Sequence, residues 1–112
     1  MNELTQRLAV DQPIVVGGAD PTLEELRKRT GEMGYVLVKF TQTRGGTEVG
    51  FPLDRKASDI SAADFDNGTG TMHVEGELVL NGDPVRCVAD IDLAALTGTG
   101  RLALREITAT AE

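Results

Sequence analysis

The chain of 112 residues carries a net charge of −7 and 13 glycines, and its length suits a single domain with a core of modest size. Eleven basic residues stand against eighteen acidic ones, so we expect neither nucleic acid nor an anionic membrane as a partner. No apolar run approaches the roughly 20 residues that a membrane helix needs, and the predicted location is cytoplasmic. Cys87 is the single cysteine, which excludes an intramolecular disulfide.

The chain starts with a weakly amphipathic stretch that lacks a firm helix start. We interpret residues 1–12 as an N-terminal tail or a short helix, and residues 13–112 as a single β-rich domain. The run PIVV at the start of this domain predicts a strand. A helix is predicted next, because Asp20 is a good N-cap and Pro21 suits the first helical position. Gly34 offers it a C-terminal stop.

The middle of the chain predicts a hairpin followed by a long loop. YVLVKFTQT is rich in β-branched and aromatic residues, with Phe40 on its apolar face, and TEVGFPL returns after a glycine turn. Residues 54–70 are polar and show no regular periodicity. A loop of this length inside a compact domain is often functional or mobile. We therefore treat it as a candidate lid.

The stretch from Thr71 to Leu93 alternates strictly between apolar and polar residues. Side chains alternate between the faces of a strand, so the pattern predicts two half-buried antiparallel strands. The Asn-Gly pair between them favours a two-residue type I′ turn. The resulting register places opposite each other the pairs Leu80–Asp83, Leu78–Val85, Gly76–Cys87, Val74–Ala89, Met72–Ile91, Glu77–Arg86 and His73–Asp90.

Two Gly-Thr-Gly elements precede predicted strands. Residues 97–100 predict a turn before the last strand, RLALREIT, and residues 68–70 precede the long hairpin. A phosphate-binding loop would be followed by a helix, so we interpret both elements as turns. Sequential strands with short connections predict an α+β fold, mainly antiparallel β. We expect a meander of about six strands or a small barrel, with one N-terminal helix.

The polar face of the long hairpin carries the candidates for chemistry. His73 faces Asp90, which could hold the imidazole in one tautomer and let it act as a general base. The same two residues could equally form an exposed cross-strand pair. Tyr35 could donate a proton or a hydrogen bond into a cavity. Glu75 and Glu77 extend an acidic patch that could ligate a cation or serve as a solvated face, and we expect neither a metal nor a cofactor.

The opposite face of the hairpin is an apolar wall. Five residues are candidates for substrate binding. Phe40 lies on the apolar face of the predicted strand YVLVKFTQT, and the other four lie on the wall of the hairpin: Met72, Val74, Leu78 and Cys87. Cys87 has no histidine on its face to activate it, so we expect it to behave as a small hydrophobe. The pattern predicts a buried wall and leaves open whether it lines a filled core or a binding cavity.

The C-terminal half repeats a strand pattern of glycines and apolar residues in GTGTMHVEGELVLNG and again in LTGTGRLAL. The residues that carry the pattern are Gly70, Met72, Gly76, Gly98, Gly100 and Leu102. This pattern resembles the small antiparallel barrels of the allene-oxide-cyclase-like proteins and the related spirotetronate cyclases. The resemblance implies a cofactor-free cyclase that folds a flexible substrate inside its lumen.

Two classes of function follow. The leading expectation is a domain that binds an apolar small molecule, as a cofactor-free cyclase or isomerase acting on a secondary-metabolite-like substrate. The alternative is a non-catalytic accessory protein that binds another protein through a strand edge or its acidic face, because the sequence shows no catalytic motif. A homodimer formed through the sheet is a third arrangement that the sequence allows.

Overall fold

The computed structural model describes residues 3–18, 22–43, 45–80 and 82–104, and of Leu104 only the backbone. Within these ranges lie the helices α1 (Glu3–Arg7) and α2 (Leu23–Lys28), and α2 continues into a π-helical turn (Arg29–Met33). The strands are β1 (Gln12–Val16), β2 (Tyr35–Phe40), β3 (Thr47–Pro52), β4 (Ala63–Asp64), β5 (Thr69–Leu80), β6 (Asp83–Asp92) and β7 (Thr97–Leu104).

The strands of this part of the chain form one antiparallel sheet in the order β3-β2-β1-β7-β6-β5-β4, which curls into a half-barrel. Strands β1 to β3 make one meander and β4 to β7 another, and the pairing of β1 with β7 joins the two. The predicted fold class, α+β with a mainly antiparallel sheet and an N-terminal helix, is confirmed. The sheet has seven strands instead of six, because the two-residue β4 pairs with β5 inside the predicted loop.

The predicted register of the β5–β6 hairpin is confirmed at all seven pairs, including His73 opposite Asp90. Gly82 has a φ of 87°, as a type I′ turn requires of its second central residue. Asn81, the first central residue, lies outside the described part of the chain. Because a slip of one residue would move every side chain to the other face, this register fixes which hairpin residues face the core.

The start of β7 differs from the prediction. Thr97 to Gly100, the predicted turn, lie within β7 and pair with both β1 and β6. The turn falls just before them, where Leu96 takes a left-handed φ of 56°. Gly98 does not form a turn. It allows β7 to lie close to β6, since an added Cβ would clash with the carbonyl oxygen of Asp90. Residues 105–108, the end of the predicted strand, lie outside the described residues.

Helix α2 begins later than the sequence pattern indicates. The predicted N-cap, Asp20, lies outside the described residues, and Thr22 caps the helix instead. The Thr22 hydroxyl accepts a hydrogen bond from the backbone N–H of Glu25 at 3.2 Å, which satisfies one donor that the first turn leaves unpaired. The predicted stop at Gly34 is confirmed, with a left-handed φ of 62°.

The apolar faces of the strands enclose the core, and both helices contribute to it. The largest fully buried side chains include Phe40, Phe51, Leu8, Ile14, Leu26, Met72, Ile91, Leu93 and Leu102. Leu8 directly follows α1 and Leu26 belongs to α2, so the start of the described chain is a short helix packed on the sheet. Among the described helices, none is both long and apolar enough to span a bilayer.

Strands β3 and β5 approach each other although they are not neighbours in the sheet. Gly76 of β5 lies against the end of β3, where an added Cβ would clash with the carbonyl oxygen of Pro52 and the ring of Phe51. After this crossing the chain runs along the outer edge of β5 as residues 54–60, which we call the strap. β3 lies at the opposite edge of the sheet from the strap. Because Gly76 has no side chain, the end of β3 can pass close to β5 and continue into the strap.

Candidate functional site

A row of charged side chains crosses the outer face of β5 and β6 and ends on the strap. The Nδ1 atom of His73 lies 2.8 Å from Oδ1 of Asp90, and its Nε2 atom lies 2.6 Å from Oε2 of Glu75. Arg86 donates from Nε to Oε1 of Glu75 at 2.9 Å and from Nη2 to Oδ2 of Asp54 at 2.6 Å. We call these five residues the charge ladder, because acidic and basic groups alternate along it.

Strand geometry positions four members of the ladder. Residues two apart on a strand share a face, which places His73 beside Glu75 on β5. The hairpin register brings Arg86 and Asp90 onto the same face from β6. Asp54 comes from the strap, where its backbone N–H donates to the carbonyl oxygen of Glu75 at 2.8 Å. The ladder therefore connects β6, β5 and the strap.

Both ring nitrogens of His73 face a carboxylate, and this arrangement favours the protonated imidazole, in which both nitrogens can donate. A neutral imidazole donates from one nitrogen only, so the other would face a carboxylate oxygen with no proton between them. The hydrogen bond to Glu75, joined by the one to Asp90, raises the pKa of His73 above its ordinary 6.5, while partial burial opposes this. The side chain is 32% exposed. Neither ring nitrogen can accept a substrate proton while both bonds hold.

Glu75 and Asp54 are held in their charged forms by their neighbours in the ladder. The hydrogen bond to His73 is the main cause that lowers the pKa of Glu75, and the bond to Arg86 adds to it. The bond to Arg86 is also the main cause that lowers the pKa of Asp54. Arg86 lies 3.5 Å from Glu77 as well. The predicted acidic patch is thus largely paired within the protein.

A metal site is not formed by these groups. In the ranges that the structure describes, no three or more His, Cys, Asp or Glu side chains are placed to hold a metal ion. Glu75, the most central carboxylate of the ladder, has one oxygen on His73 and the other on Arg86. The arrangement favours an ionic clamp over a cation site.

The strap pairs with the outer edge of β5 in the manner of an edge strand. Asp59 and His73 exchange two backbone hydrogen bonds, at 2.8 and 2.9 Å. The Oγ atom of Ser58 accepts a bond from the backbone N–H of Glu75 at 2.9 Å. Together with the bond from Asp54, these contacts cover the backbone of β5 from His73 to Glu75.

The ends of the strap are anchored by apolar side chains. Leu53, just before it, and Ile60, its last residue, pack against the core. With Arg55 and Ser58 they line a cavity of about 70 Å³. A space of this size holds a few water molecules at most, since ligand pockets typically measure about 300–1,000 Å³.

An open cleft lies where β3 and β5 diverge beyond Gly76, and we call it the β3–β5 cleft. Its volume is about 530 Å³, and its lining residues are Pro52, Leu53, Asp54, Glu77, Leu78 and Val79. Val79 is 62% exposed. The backbone N–H and C=O groups of His73 and Glu75 point toward the strap. Alternate residues of a strand direct these groups to the same edge, so the backbone groups of Val79 point to that edge as well. The cleft therefore adjoins the part of β5 that the strap covers.

The predicted substrate-binding residues separate into two groups. Phe40, Met72, Val74 and Cys87 are fully buried, with exposures of 0 to 1%. At these four positions the apolar wall is a filled core. Burial raises the pKa of the Cys87 thiol to about 12, which fits the expected role of a small hydrophobe. Leu78 differs from them, because it lines the β3–β5 cleft.

Tyr35 is not part of the charge ladder. It opens β2 opposite Pro52, and its ring covers Gly50 of β3, where an added Cβ would meet the phenol oxygen and Leu37. The ring nitrogens of His73 are both engaged by Glu75 and Asp90. The structure thus brings two of the three predicted catalytic residues together and places Tyr35 on another pair of strands.

Comparison with known proteins leaves the site to be interpreted from its geometry. No protein-family model matches the chain, and no curated protein matches it. The resemblance to cyclase barrels therefore stays a prediction.

Sequence reasoning missed Asp54 as a member of the site and Arg86 as its centre. Arg86 is the single arginine or lysine between Thr71 and Leu93, and that was the available signal. The predicted pair with Glu77 exists, but Arg86 bonds more closely to its diagonal neighbour Glu75. No periodic pattern marks Asp54, because it lies in an irregular segment.

Proposed function

We propose that this protein is a binding module that takes an extended segment of a partner polypeptide in the β3–β5 cleft. The observation that carries the proposal is the strap, since β5 already pairs with an extended segment along the same edge, at His73 and Glu75. Strand addition to a sheet edge is a recurrent mode of peptide recognition. Main-chain hydrogen bonds supply affinity, and pockets for alternate side chains supply specificity. The edge continues from the strap into the cleft at Val79.

The lining of the cleft indicates the chemistry of the partner. Leu53, Leu78 and Val79 offer an apolar surface, and Asp54 and Glu77 add acidic residues to the lining. Arg86 neutralises these carboxylates only in part, and the whole chain carries a net charge of −7. A segment that alternates apolar and basic residues complements this surface, because a strand presents alternate side chains to opposite sides.

The state of the reactive groups supports binding over catalysis. Both ring nitrogens of His73 are engaged by carboxylates. The Cys87 thiol is buried, and burial raises its pKa to about 12. Neither group is presented to the cleft as a base or a nucleophile, so we assign the cleft to recognition.

The test is selection of peptides about eight residues long, near the usual length of a strand, from a random displayed library. We expect the selected peptides to alternate apolar and basic residues and to shift the amide resonances of Val79 and Leu53. Val79→Ser should weaken their binding about tenfold, since burying a valine contributes roughly 1.5 kcal/mol. Val10→Ser is the matched control, because Val10 is 63% exposed and lies outside the cleft.

Two results would overturn this proposal. One is a library that yields no binder specific for this protein. The other is a set of selected peptides that bind the Val79→Ser and Val10→Ser variants equally, which would place the binding surface elsewhere.

An apolar small molecule is the second candidate for the same cleft. Its volume of about 530 Å³ lies within the usual size of ligand pockets, and Leu78 lines it. A cofactor-free cyclase or isomerase would act there by holding a flexible substrate in a reactive conformation. A screen of apolar compounds by thermal shift tests this, because a specific ligand raises Tm. The rise should vanish in Val79→Ser and persist in Val10→Ser.

A further inference from the structure

We propose that the strap is a pH-responsive cover of the β5 edge, closed while His73 is protonated and released as His73 loses its proton. This goes beyond the proposed function, because it concerns a conformational change of the chain itself in the absence of any partner. It stands on the contacts between the strap, β5 and β6.

The hydrogen bonds between the strap and the edge of β5 cluster at two residues of that strand, and the bond from Arg86 to Asp54 adds a link to β6. Its backbone bonds to that edge involve Asp54 and Asp59, and its hydroxyl bond involves Ser58. Every one of these bonds ends on His73 or Glu75. A change in the position of these two residues therefore reaches the whole strap.

Two carboxylates contact the ring of His73, Glu75 from β5 itself and Asp90 from β6. A third acidic residue, Asp59, lies opposite His73 in the backbone bridge between the strap and β5. The positive charge of His73 helps to lower the pKa of Asp59, although the hydrogen bonds of Asp59 to Ser61 are the larger causes. Protonated His73 is the shared counter-ion of this group.

When His73 loses its proton, the attraction at one of its ring nitrogens is replaced by repulsion. A neutral imidazole keeps one donor, so one of the two carboxylates at 2.6 and 2.8 Å then faces a nitrogen lone pair. Arg86 remains as the cation of the ladder and lies on the far side of Glu75. Relief of the repulsion requires Glu75 or Asp90 to move away from His73, and Glu75 carries strap contacts at its backbone N–H and carbonyl oxygen. The same loss removes the positive charge that helps to lower the pKa of Asp59 on the strap.

Opening of the strap would lengthen the accessible edge. The closed strap covers β5 at His73 and Glu75, and the β3–β5 cleft begins immediately beyond, at Glu77. With the strap released, the two stretches form one continuous edge. The device would thus admit a longer extended partner at higher pH than at lower pH.

His73 is the single histidine of the chain, which makes the device testable without a partner. Hydrogen exchange is followed at the amides of Asp54, Asp59, His73 and Glu75 between about pH 6 and pH 9, corrected for intrinsic exchange. We expect protection of these amides to fall with rising pH, by up to tenfold for each pH unit by which the closed strap raises the pKa of His73. The midpoint should coincide with the titration of the His73 ring measured by NMR.

Matched variants separate charge from structure. His73→Gln, neutral at every pH, should show low protection of the strap amides that does not change with pH. His73→Lys, charged throughout this range, should keep protection high and constant. The amide of Cys87, on the β6 side of the hairpin, should respond in none of the three proteins.

Two outcomes would overturn the proposal. Strap amides that stay equally protected while the His73 ring titrates would show that its proton does not hold the strap. A pH response that persists in His73→Gln would assign the change to another group. If His73→Gln does not fold, a mismatch between the ring titration and the strap profile of the unmodified protein decides the question. Peptide binding at the β3–β5 cleft is measured separately, so either idea can fail alone.

Discussion

Arg86 Nη2 lies 2.6 Å from Oδ2 of Asp54, although the two residues are 32 positions apart in the chain. The same guanidinium holds Glu75 at 2.9 Å. The Arg86 side chain is only 24% exposed, so these charge-assisted bonds are less screened than ordinary surface ion pairs. One residue of β6 thereby fixes β5 and the strap together.

Replacing Arg86 by methionine should destabilise the protein. The change removes the shared cation and leaves Asp54, Glu75 and Glu77 in mutual repulsion. We expect Tm to fall by roughly 5–10 °C in a domain of this size, measured by calorimetry. Arg101→Met is the control, since Arg101 is 40% exposed and reaches Asp11 only at 3.5 Å. Equal losses of Tm in the two variants would contradict the central role of Arg86.

The free energy of unfolding should depend on pH through His73 and Glu75. The folded-state pKa of His73 lies above 6.5, so its contribution is complete below pH 6.5 and is lost as pH rises through the folded value. The folded-state pKa of Glu75 lies below 4.5, so its contribution is complete above pH 4.5 and is lost as pH falls through the folded value. Stability should therefore be greatest between pH 4.5 and 6.5.

Urea denaturation across this range measures the effect. In His73→Gln the decline on the alkaline side should disappear, and the acid-side decline should become smaller, because the bond to His73 is the main cause that lowers the pKa of Glu75. An unchanged alkaline decline in that variant would mean that His73 does not cause it.

Gly76→Ala should be costly, because the added Cβ would meet the Pro52 carbonyl oxygen and the Phe51 ring. Overpacking of this kind costs about 1–3 kcal/mol. Gly31→Ala makes the matched comparison, since nothing lies within 4 Å of the added Cβ. Alanine in that helical turn should raise the free energy of unfolding by up to about 1 kcal/mol. Chemical denaturation of both variants gives the difference, and a neutral Gly76→Ala would mean that β3 and β5 separate easily.

Cys87 should resist thiol reagents in the folded protein. The side chain is fully buried, and burial raises its pKa to about 12, so thiolate is scarce at neutral pH. Labelling with a chromogenic disulfide should be slow in buffer and should accelerate in denaturant in parallel with unfolding. Rapid labelling without denaturant would indicate local opening of β6.

The hairpin and the strap mark the limits of what the sequence predicts. The β5–β6 register follows from a period of two and one Asn-Gly turn, both local signals, so His73 and Asp90 could be paired in advance. The bond from Arg86 to Asp54 could not, because it depends on β3 crossing β5 at Gly76. That crossing is a property of the curled sheet and leaves no periodic trace in residues 54–60.

A local signal misled at the start of β7, and local signals could not decide the state of the apolar wall. Thr97 to Gly100 predicts a turn from composition, yet the glycines lie inside β7, where they permit the close approach of β6 and β1. Phe40 and Cys87 belong to the apolar wall as predicted, but whether such a wall is filled depends on what packs against it. Leu8, which follows α1, and Leu26 of α2 help to fill it.

The pairing of β1 with β7 has a consequence for how the chain folds. It pairs Gln12 with Gly100 and Val15 with Thr97, and so joins strands near the two ends of the described chain. The other strand pairs join strands that follow each other in the sequence. Closing so long a loop carries an entropic cost that short hairpins avoid, and non-local pairing of this kind slows folding. During synthesis β1 has no second neighbour until β7 has left the ribosome, so the amino-terminal meander must wait with one edge exposed.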